Sequence, residues 1–489
     1  MRRIIYILLA FAITTPAIAQ PEWYSKYIQQ SQDFSKESIT AHDSLYYGFG
    51  LNALTSTGKY APFWISNNSW GRISTDPHSG NLYATIYKPA VRDNRWFDYS
   101  FGANAEGRLS ATQSKVFINE LFAHARVLAF DITVGIRQQE WGVQDKDLSS
   151  GGFLFSKNAR SFPRITFGID EYRPFPFTKG YLEFKAGITH GWMLDKVYVE
   201  NYFVHHKFMG VRIGGNFPLN LIYEFHHAAQ WGGTHPIYGE LGSSFSDFWR
   251  VLQAKSGGVM ANDQINSLGN HLGSQNIAFE LKFKDWKMRG YWQGIFEDGP
   301  FGIPWNNQNR PDVLTGISLE QRSWPYISKI LYEFFQSTDQ AGPFHDKDGV
   351  VYGGADGYYN NSIYLEGWTH YNRVIGTPLI TSPIYNSNGA IRILNNRVVA
   401  HHIGIMGDIY GFKYRTLFTH SRNYGTYGAD ESKYTINNAI LIDVRKNIPQ
   451  AWGLDFGIKL GLDYGTQFGN SFGAMFTVSK VGLIKSWRR

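Results

Sequence analysis

The chain of 489 residues contains no cysteine. That excludes a disulfide framework, a thiolate metal site, a cysteine nucleophile and a lipid anchor on cysteine. Past its first residues it also lacks any apolar run near the roughly 18 residues of a membrane helix, and its mean hydropathy is −0.30. Helical membrane spanning is therefore excluded. Charge of one sign is not concentrated: 47 Lys and Arg against 40 Asp and Glu give +7, too mild and dispersed for a nucleic-acid binder. His-Glu-x-x-His and the phosphate-binding Gly-Lys-Ser/Thr loop are missing as well, so two common enzyme signatures are absent.

What is present begins at the N-terminus. Arg2 and Arg3 precede an apolar stretch from Ile4 to Ile13, and Ala17-Ile18-Ala19 places small residues at −3 and −1. This is the three-part pattern of a secretory signal, with residues 1–19 removed and Gln20 as the new N-terminus. Both signal arginines go with it, which lowers the net charge by two. The remainder is rich in aromatics (30 Tyr, 35 Phe, 15 Trp) and in Gly, with 51.

Alternation runs the length of the chain. Over 116–127, Phe117, Leu121, Ala123, Ala125 and Val127 share one face, with Glu120, His124 and Arg126 opposite. After a turn near Leu128, Phe130, Ile132, Val134 and Ile136 oppose Asp131, Thr133, Arg137 and Gln139. The pattern returns at 181–189, in a hairpin over 277–296 turning near Asp285, and at 412–418 and 434–445, where Lys413, Arg415, Asp443 and Arg445 lie on the polar side. Period two with one apolar face is the mark of β-strands. Strand-like runs number about 18, a size that suits a bacterial outer-membrane barrel with its apolar face toward lipid. A soluble β-protein with the faces reversed is the alternative.

The organisation expected is a periplasmic segment over 20–44 and a barrel over 45–489. Phe245, Phe248, Trp249 and Leu252 fall at helical spacing, with Ser244 or Ser246 as cap. Lipid tolerates no irregular backbone, so the insertion near 240–270 is expected to be a plug or lid. The last strand is expected over 472–479.

Four blocks carry a resemblance. They are Glu120 to Gly142; Leu148-Ser-Ser-Gly-Gly-Phe-Leu-Phe-Ser-Lys-Asn-Ala-Arg160; His205-His206-Lys207 leading to Gln230-Trp231-Gly232-Gly233; and Gly353-Gly-Ala-Asp-Gly-Tyr-Tyr-Asn-Asn361, followed by Gly367-Trp368 and Gly376-Thr-Pro-Leu379. In this order and spacing the chain, from about residue 45 on, resembles the Wzi family of capsule-assembly outer-membrane proteins in its Bacteroidetes-like form. The resemblance implies an 18-stranded barrel closed by helices at the periplasmic end. It also implies a lectin-like, non-catalytic role in attaching exported capsular polysaccharide, at the cell outer membrane.

Sugar recognition needs aromatic faces and bidentate polar groups. The candidates are Arg160 and Arg164 beside the Asn-Ala-Arg block, Trp305, Asn307 and Arg310 in the loop at 301–310, and Asp356, Tyr358 and Tyr359. Partners expected are capsular or other surface polysaccharide, outer-membrane lipid or lipopolysaccharide, and the barrel-assembly machinery; nucleic acid is not. No cofactor and no metal is expected. Adjacent histidines on a strand point to opposite faces, so neither His205-His206, His226-His227 nor His401-His402 chelates alone, although His206 and His226 can meet across strands. Glu120 and Asp131 fit an ion-pair network with His124, Arg126 and Arg137 better than a hydrolytic pair. A diffusion channel and an outer-membrane hydrolase are the competing functions.

Overall fold

The computed structural model describes residues 43–487 apart from 92–95, 197, 256–267, 298–310, 344, 348–349 and 431. The signal sequence, nearly all of the 20–44 segment, and Trp305, Asn307 and Arg310 lie outside these residues. Asp43 and Ser44 already belong to the first strand.

Eighteen strands pair with their sequence neighbours in one antiparallel sheet, and the first pairs with the last, from Asp43↔Trp487 to Ser56↔Gly473. In chain order they are β1 Asp43–Ser56, β2 His78–Lys88, β3 Phe97–Ser110, β4 Lys115–Val127, β5 Phe130–Ile136, β6 Pro163–Pro174, β7 Leu182–Trp192, β8 Phe203–Ile213, β9 Leu219–Trp231, β10 Asn270–Lys282, β11 Trp286–Glu297, β12 Val313–Gln321, β13 Lys329–Gln336, β14 Val398–Ile409, β15 Phe412–Asn423, β16 Thr435–Ile448, β17 Leu454–Gly465 and β18 Ser471–Trp487. Closure leaves no free sheet edge, as a lipid environment requires. The expected strand number is met. β18 runs eight residues past the expected end of the last strand.

The alternation resolves into a lipid-facing and a luminal side. Leu82, Ile132, Val134, Phe167, Leu221, Ile458 and Phe476 are exposed on the outside, while Asn104, Glu120, Asp131, Glu224, Glu333 and Asp443 are buried inside. A soluble protein does not carry so continuous an exposed apolar belt; a transmembrane barrel does. Exposed Trp96, Phe177, Phe217, Trp286, Trp324, Tyr410 and Trp452 ring one end, in the manner of an interfacial aromatic girdle. One face assignment needs correction. A bulge opposite Asn104/Ala105 skips a residue at Asn119, which reverses the parity of the start of β4. Val116 and Ile118 are thus exposed, and Phe117, expected outside, is buried within.

All long connections leave the end opposite the chain termini. Among the described residues, the connections 57–77, 137–162 and 337–397 turn back into the lumen and fill most of it, with Met193, Val199 and Tyr202 of a fourth joining the same core. Residues 57–77 carry a short helix, α1 (Phe63–Ser66), fully buried, with Phe63 N donating to Asp463 Oδ2 at 2.8 Å and Trp64 Nε1 to Thr419 Oγ1 at 2.9 Å. Residues 137–162 and 337–397 supply Phe153, Leu154, Phe155, Tyr358, Tyr359 and Trp368 to a core shared with inward wall residues such as Leu314, Leu331 and Phe335.

The second helix, α2 (Phe245–Leu252), forms where the apolar spacing puts it. Ser244 caps it by accepting from Asp247 N at 3.2 Å, and the Asp247 carboxylate returns to Ser244 N at 3.0 Å. Its position corrects the expectation of a plug. Val251 and Phe248 pack on Ala229, Trp231 and Phe203, and Ala229 and Trp231 are outward positions of β9. The helix therefore lies against the outside of the wall at the rim. Both described α-helices sit on connections that leave the end opposite the termini.

Candidate functional site

The block from Leu148 to Arg160 and the one from Gly353 to Leu379 bind each other. Ser149 and Ser150 reach the wall through Glu333, and Phe153 N donates to Gln293 Oε1 at 3.0 Å. Ser156 Oγ donates to Gly376 O at 2.6 Å, Asn158 Nδ2 to Val374 O at 3.1 Å, and Trp368 Nε1 to Leu154 O at 2.8 Å. Tyr358 is fully buried, its hydroxyl donating to Asp312 Oδ2 at 2.8 Å; Tyr359 is fully buried too, with its hydroxyl on Phe153 O. Arg164 is 1% exposed, stacked 4.9 Å from Trp141 with Nη2 donating to Gln139 Oε1 at 3.3 Å. All three are buried against the plug, Tyr358 and Tyr359 within it and Arg164 between it and the wall.

Arg160 is different. It stands at the long-loop rim, half-buried, with its guanidinium 4.4 Å from the Phe117 ring and 4.3 Å from the Tyr371 ring. Its Nη2 donates to Ile118 O at 3.0 Å. Lys115 Nζ lies 4.4 Å from the same Tyr371 ring, and the Arg108 guanidinium 5.4 Å from the Phe117 ring. Tyr371 is fixed by its backbone N on Asp195 Oδ2 at 2.6 Å, and His370 Nδ1 donates to Arg160 O at 2.8 Å. Burial pulls the Arg160 guanidinium below its ordinary value, opposed by the Tyr371 and Glu106 charges. Three cations gathered on two rings, open at Lys115, form a basic edge that can bind the carboxylates of an acidic sugar, with the rings holding the cations in place. Sequence reading found Arg160 but missed Lys115, Arg108 and Tyr371. Lys115 closes the tight β3–β4 turn, whereas nothing local marks Tyr371, 211 residues from Arg160. Asp356, half-buried, sits away from this stack near Gln340, to whose carbonyl its backbone N donates at 2.9 Å.

Below the plug lies a cavity of about 510 Å³. Plug residues Trp64, Trp70, Arg72, Gln144 and Ser149 roof it, and Arg415, Asp443, Arg445 and Lys459 of the wall line it down to the turn holding Arg322 and Pro325. It thus reaches toward the terminus end.

Of the luminal charges expected to form one network, His124 and Asp131 meet as expected, while Arg126 turns to Asp98, Arg137 reaches a hydroxyl and Glu120 accepts from Gln138 N at 2.8 Å. His124 Nε2 meets Asp131 Oδ1 at 2.8 Å, Arg126 Nη2 meets Asp98 Oδ2 at 3.2 Å, and Arg137 donates to Thr133 at 2.9 Å. His206 Nε2 and His226 Nδ1 are 3.1 Å apart, with Glu224 on the far side of His226 at 3.0 Å. His401 and His402 diverge as the strand geometry requires: His401 bonds Tyr332 outside and His402 bonds Thr419 inside. Gly469-Asn470-Ser471-Phe472-Gly473 has the letters of a nucleophile elbow, although the expectation from the sequence was that no Gly-x-Ser-x-Gly is present. Ser471 opens a strand instead of a strand-to-helix turn, and its hydroxyl donates to Tyr60 O at 2.8 Å.

Among solved structures, the chain is similar to a carbohydrate-binding β-barrel, the outer-membrane protein Wzi involved in group 1 capsule assembly in Escherichia coli. The two are 14% identical with a TM-score of 0.57, and the match covers 94% of this chain and 89% of that one. OccAB2 of Acinetobacter baumannii (9% identity, 92% and 100% covered, TM-score 0.47) and OprD of Pseudomonas aeruginosa (10%, 92% and 96%, 0.47) are more distant. No curated protein matches. The family model described as capsule assembly protein Wzi matches residues 27–381, most of the chain, and with the eighteen-stranded wall and the plug built from the very blocks that carry the resemblance, this protein belongs to the Wzi capsule-assembly family.

Proposed function

We propose that this barrel sits in the outer membrane and binds an exported acidic surface polysaccharide at its long-loop rim, attaching it to the cell without catalysis. Short turns face the periplasm and long loops the exterior in barrels of this kind, which puts Arg160 on the side of the exported polymer. The observation that carries the reading is the stack of Arg160, Phe117, Tyr371 and Lys115 at that rim, above a lumen packed with side chains instead of open to flow. The relative from Escherichia coli is itself a carbohydrate-binding barrel involved in capsule assembly. The lipid of the outer membrane is the partner of the exposed apolar belt, the assembly machinery acts during insertion, and cleavage follows Ala19. Asp356 and the loop at 301–310 are secondary contacts of the same polymer.

The test is retention of the host's own capsular polysaccharide by purified protein. Arg160→Ala with Lys115→Ala is expected to weaken retention about tenfold, the loss of a charge-assisted pair. No retention by the unaltered protein, with capsule still fully attached in a deletion strain, overturns the reading.

A further inference from the structure

The plugged lumen leaves one cavity whose charges do not balance locally. Asp443 on β16 is 3% exposed, and three cations converge on its carboxylate: Arg445 at 2.6 Å, Arg415 at 3.4 Å and Lys459 at 3.9 Å. One negative charge thus stands against three positive ones, and each cation keeps some exposed surface on the cavity side. The other acids lining the cavity are already engaged. Asp145 and Asp147 share the single Lys329, at 3.2 Å and 2.5 Å, which leaves one negative charge over, but the cavity lining as a whole holds eight Lys and Arg against five Asp and Glu. Glu140 takes Lys157 at 3.0 Å, and Asp408 lies directly opposite Lys413 across β14 and β15.

Enclosed positive charge with low-dielectric walls draws in an anion. Guanidinium groups pair best with planar carboxylates, in two-pronged geometry. Trp70 and Trp64 in the roof contribute apolar edges to the same cavity. A volume of about 510 Å³ lies within the usual ~300–1,000 Å³ of a small-ligand site. The shape therefore suits a few sugar units and no folded partner.

We infer that this cavity is a second saccharide site, reached from the terminus end, that takes a short carboxylated oligosaccharide on Arg415, Arg445 and Lys459. It lies on the opposite side of the plug from Arg160. It deepens the polysaccharide reading by naming the ligand class, and it rests on that reading for its biological sense alone.

Trigalacturonate, with maltotriose as the neutral match, is titrated calorimetrically into the full barrel in detergent. Trigalacturonate is expected to bind and maltotriose not. Arg445→Gln with Lys459→Gln weakens trigalacturonate about tenfold. Asp443→Asn, which removes the competing carboxylate, tightens it; this gain is a readout that misfolding cannot imitate. Equal binding of the two sugars, binding of neither, or a loss in the Arg160→Ala/Lys115→Ala rim variant but not in the cavity variant overturns the inference. Polymer retention is scored in parallel. Retained polymer with no trigalacturonate binding sinks the cavity site and leaves the rim reading intact, whereas lost retention with trigalacturonate still bound does the reverse.

Discussion

Glu333 on β13 receives Ser150 twice, the backbone N at 2.7 Å and the hydroxyl at 2.6 Å, both on Oε2. Its other oxygen takes Ser149 Oγ at 2.6 Å and the Tyr291 hydroxyl. The plug is thereby pinned to the wall by a carboxylate with no exposed surface, 183 residues away along the chain.

Glu333→Gln replaces one acceptor by an NH₂ that faces donors. A buried group left without its partner costs about 1–3 kcal/mol, and several are disturbed together. The expected result is a urea midpoint lowered by the equivalent of roughly 3 kcal/mol and, in planar bilayers, channel openings in the variant where the unaltered barrel stays silent. A steady open conductance in the unaltered protein would instead favour a diffusion channel.

Gly376 lies where the two plug segments meet. A Cβ there would collide with the Tyr359 hydroxyl and with Phe153 O, and the Phe153 carbonyl is backbone that cannot swing away. Gly376→Ala is expected to destabilise by about 1–3 kcal/mol, the usual cost of overpacking. Proteolysis of the 337–397 connection in folded barrels reads the loosening.

The plug also carries a pH dependence. Burial, with the Asp195 charge adding to it, raises the Glu366 carboxyl from 4.5 to about 7. A raised folded-state value favours the protonated form, so this group's contribution is complete below about pH 4.5 and is lost as pH rises through about 7. Unfolding midpoints should therefore fall between those two pH values in the unaltered protein. Glu366→Gln should flatten that fall while leaving the midpoint at pH 4 nearly unchanged.

Ser244→Ala removes the cap of α2, worth about 1 kcal/mol. Because the helix rests on the outer wall with only Val251 fully buried, the effect is expected to stay local. Amide exchange over 245–252 should quicken, while the barrel's unfolding midpoint barely moves.

How much was legible in the sequence depended on the range of the interaction. Strand number and most facing came through because period two is a local property of each strand, set by lipid on one side and polar lumen on the other. Phe117 was misassigned because a bulge depends on the neighbouring strand's register. The helix at 245–252 was readable from its spacing and cap, but not its location, since an apolar stripe fits the outside of a wall as well as its inside. That Tyr358, Tyr359 and Arg164 are buried against the plug was not legible, because aromatic and guanidinium groups serve packing and recognition with the same chemistry.

The amino-acid sequence by itself determined a barrel wall, its approximate size and its family, since all three reside in short-range patterns and ordered blocks. Tertiary structure alone decided which charged and aromatic residues are spent on the plug and which remain open. The rim stack joins Arg160 to Tyr371 and the cavity joins Arg415 to Lys459; such pairings are made by loops folding back across a closed cylinder, and separation along the chain carries no trace of them.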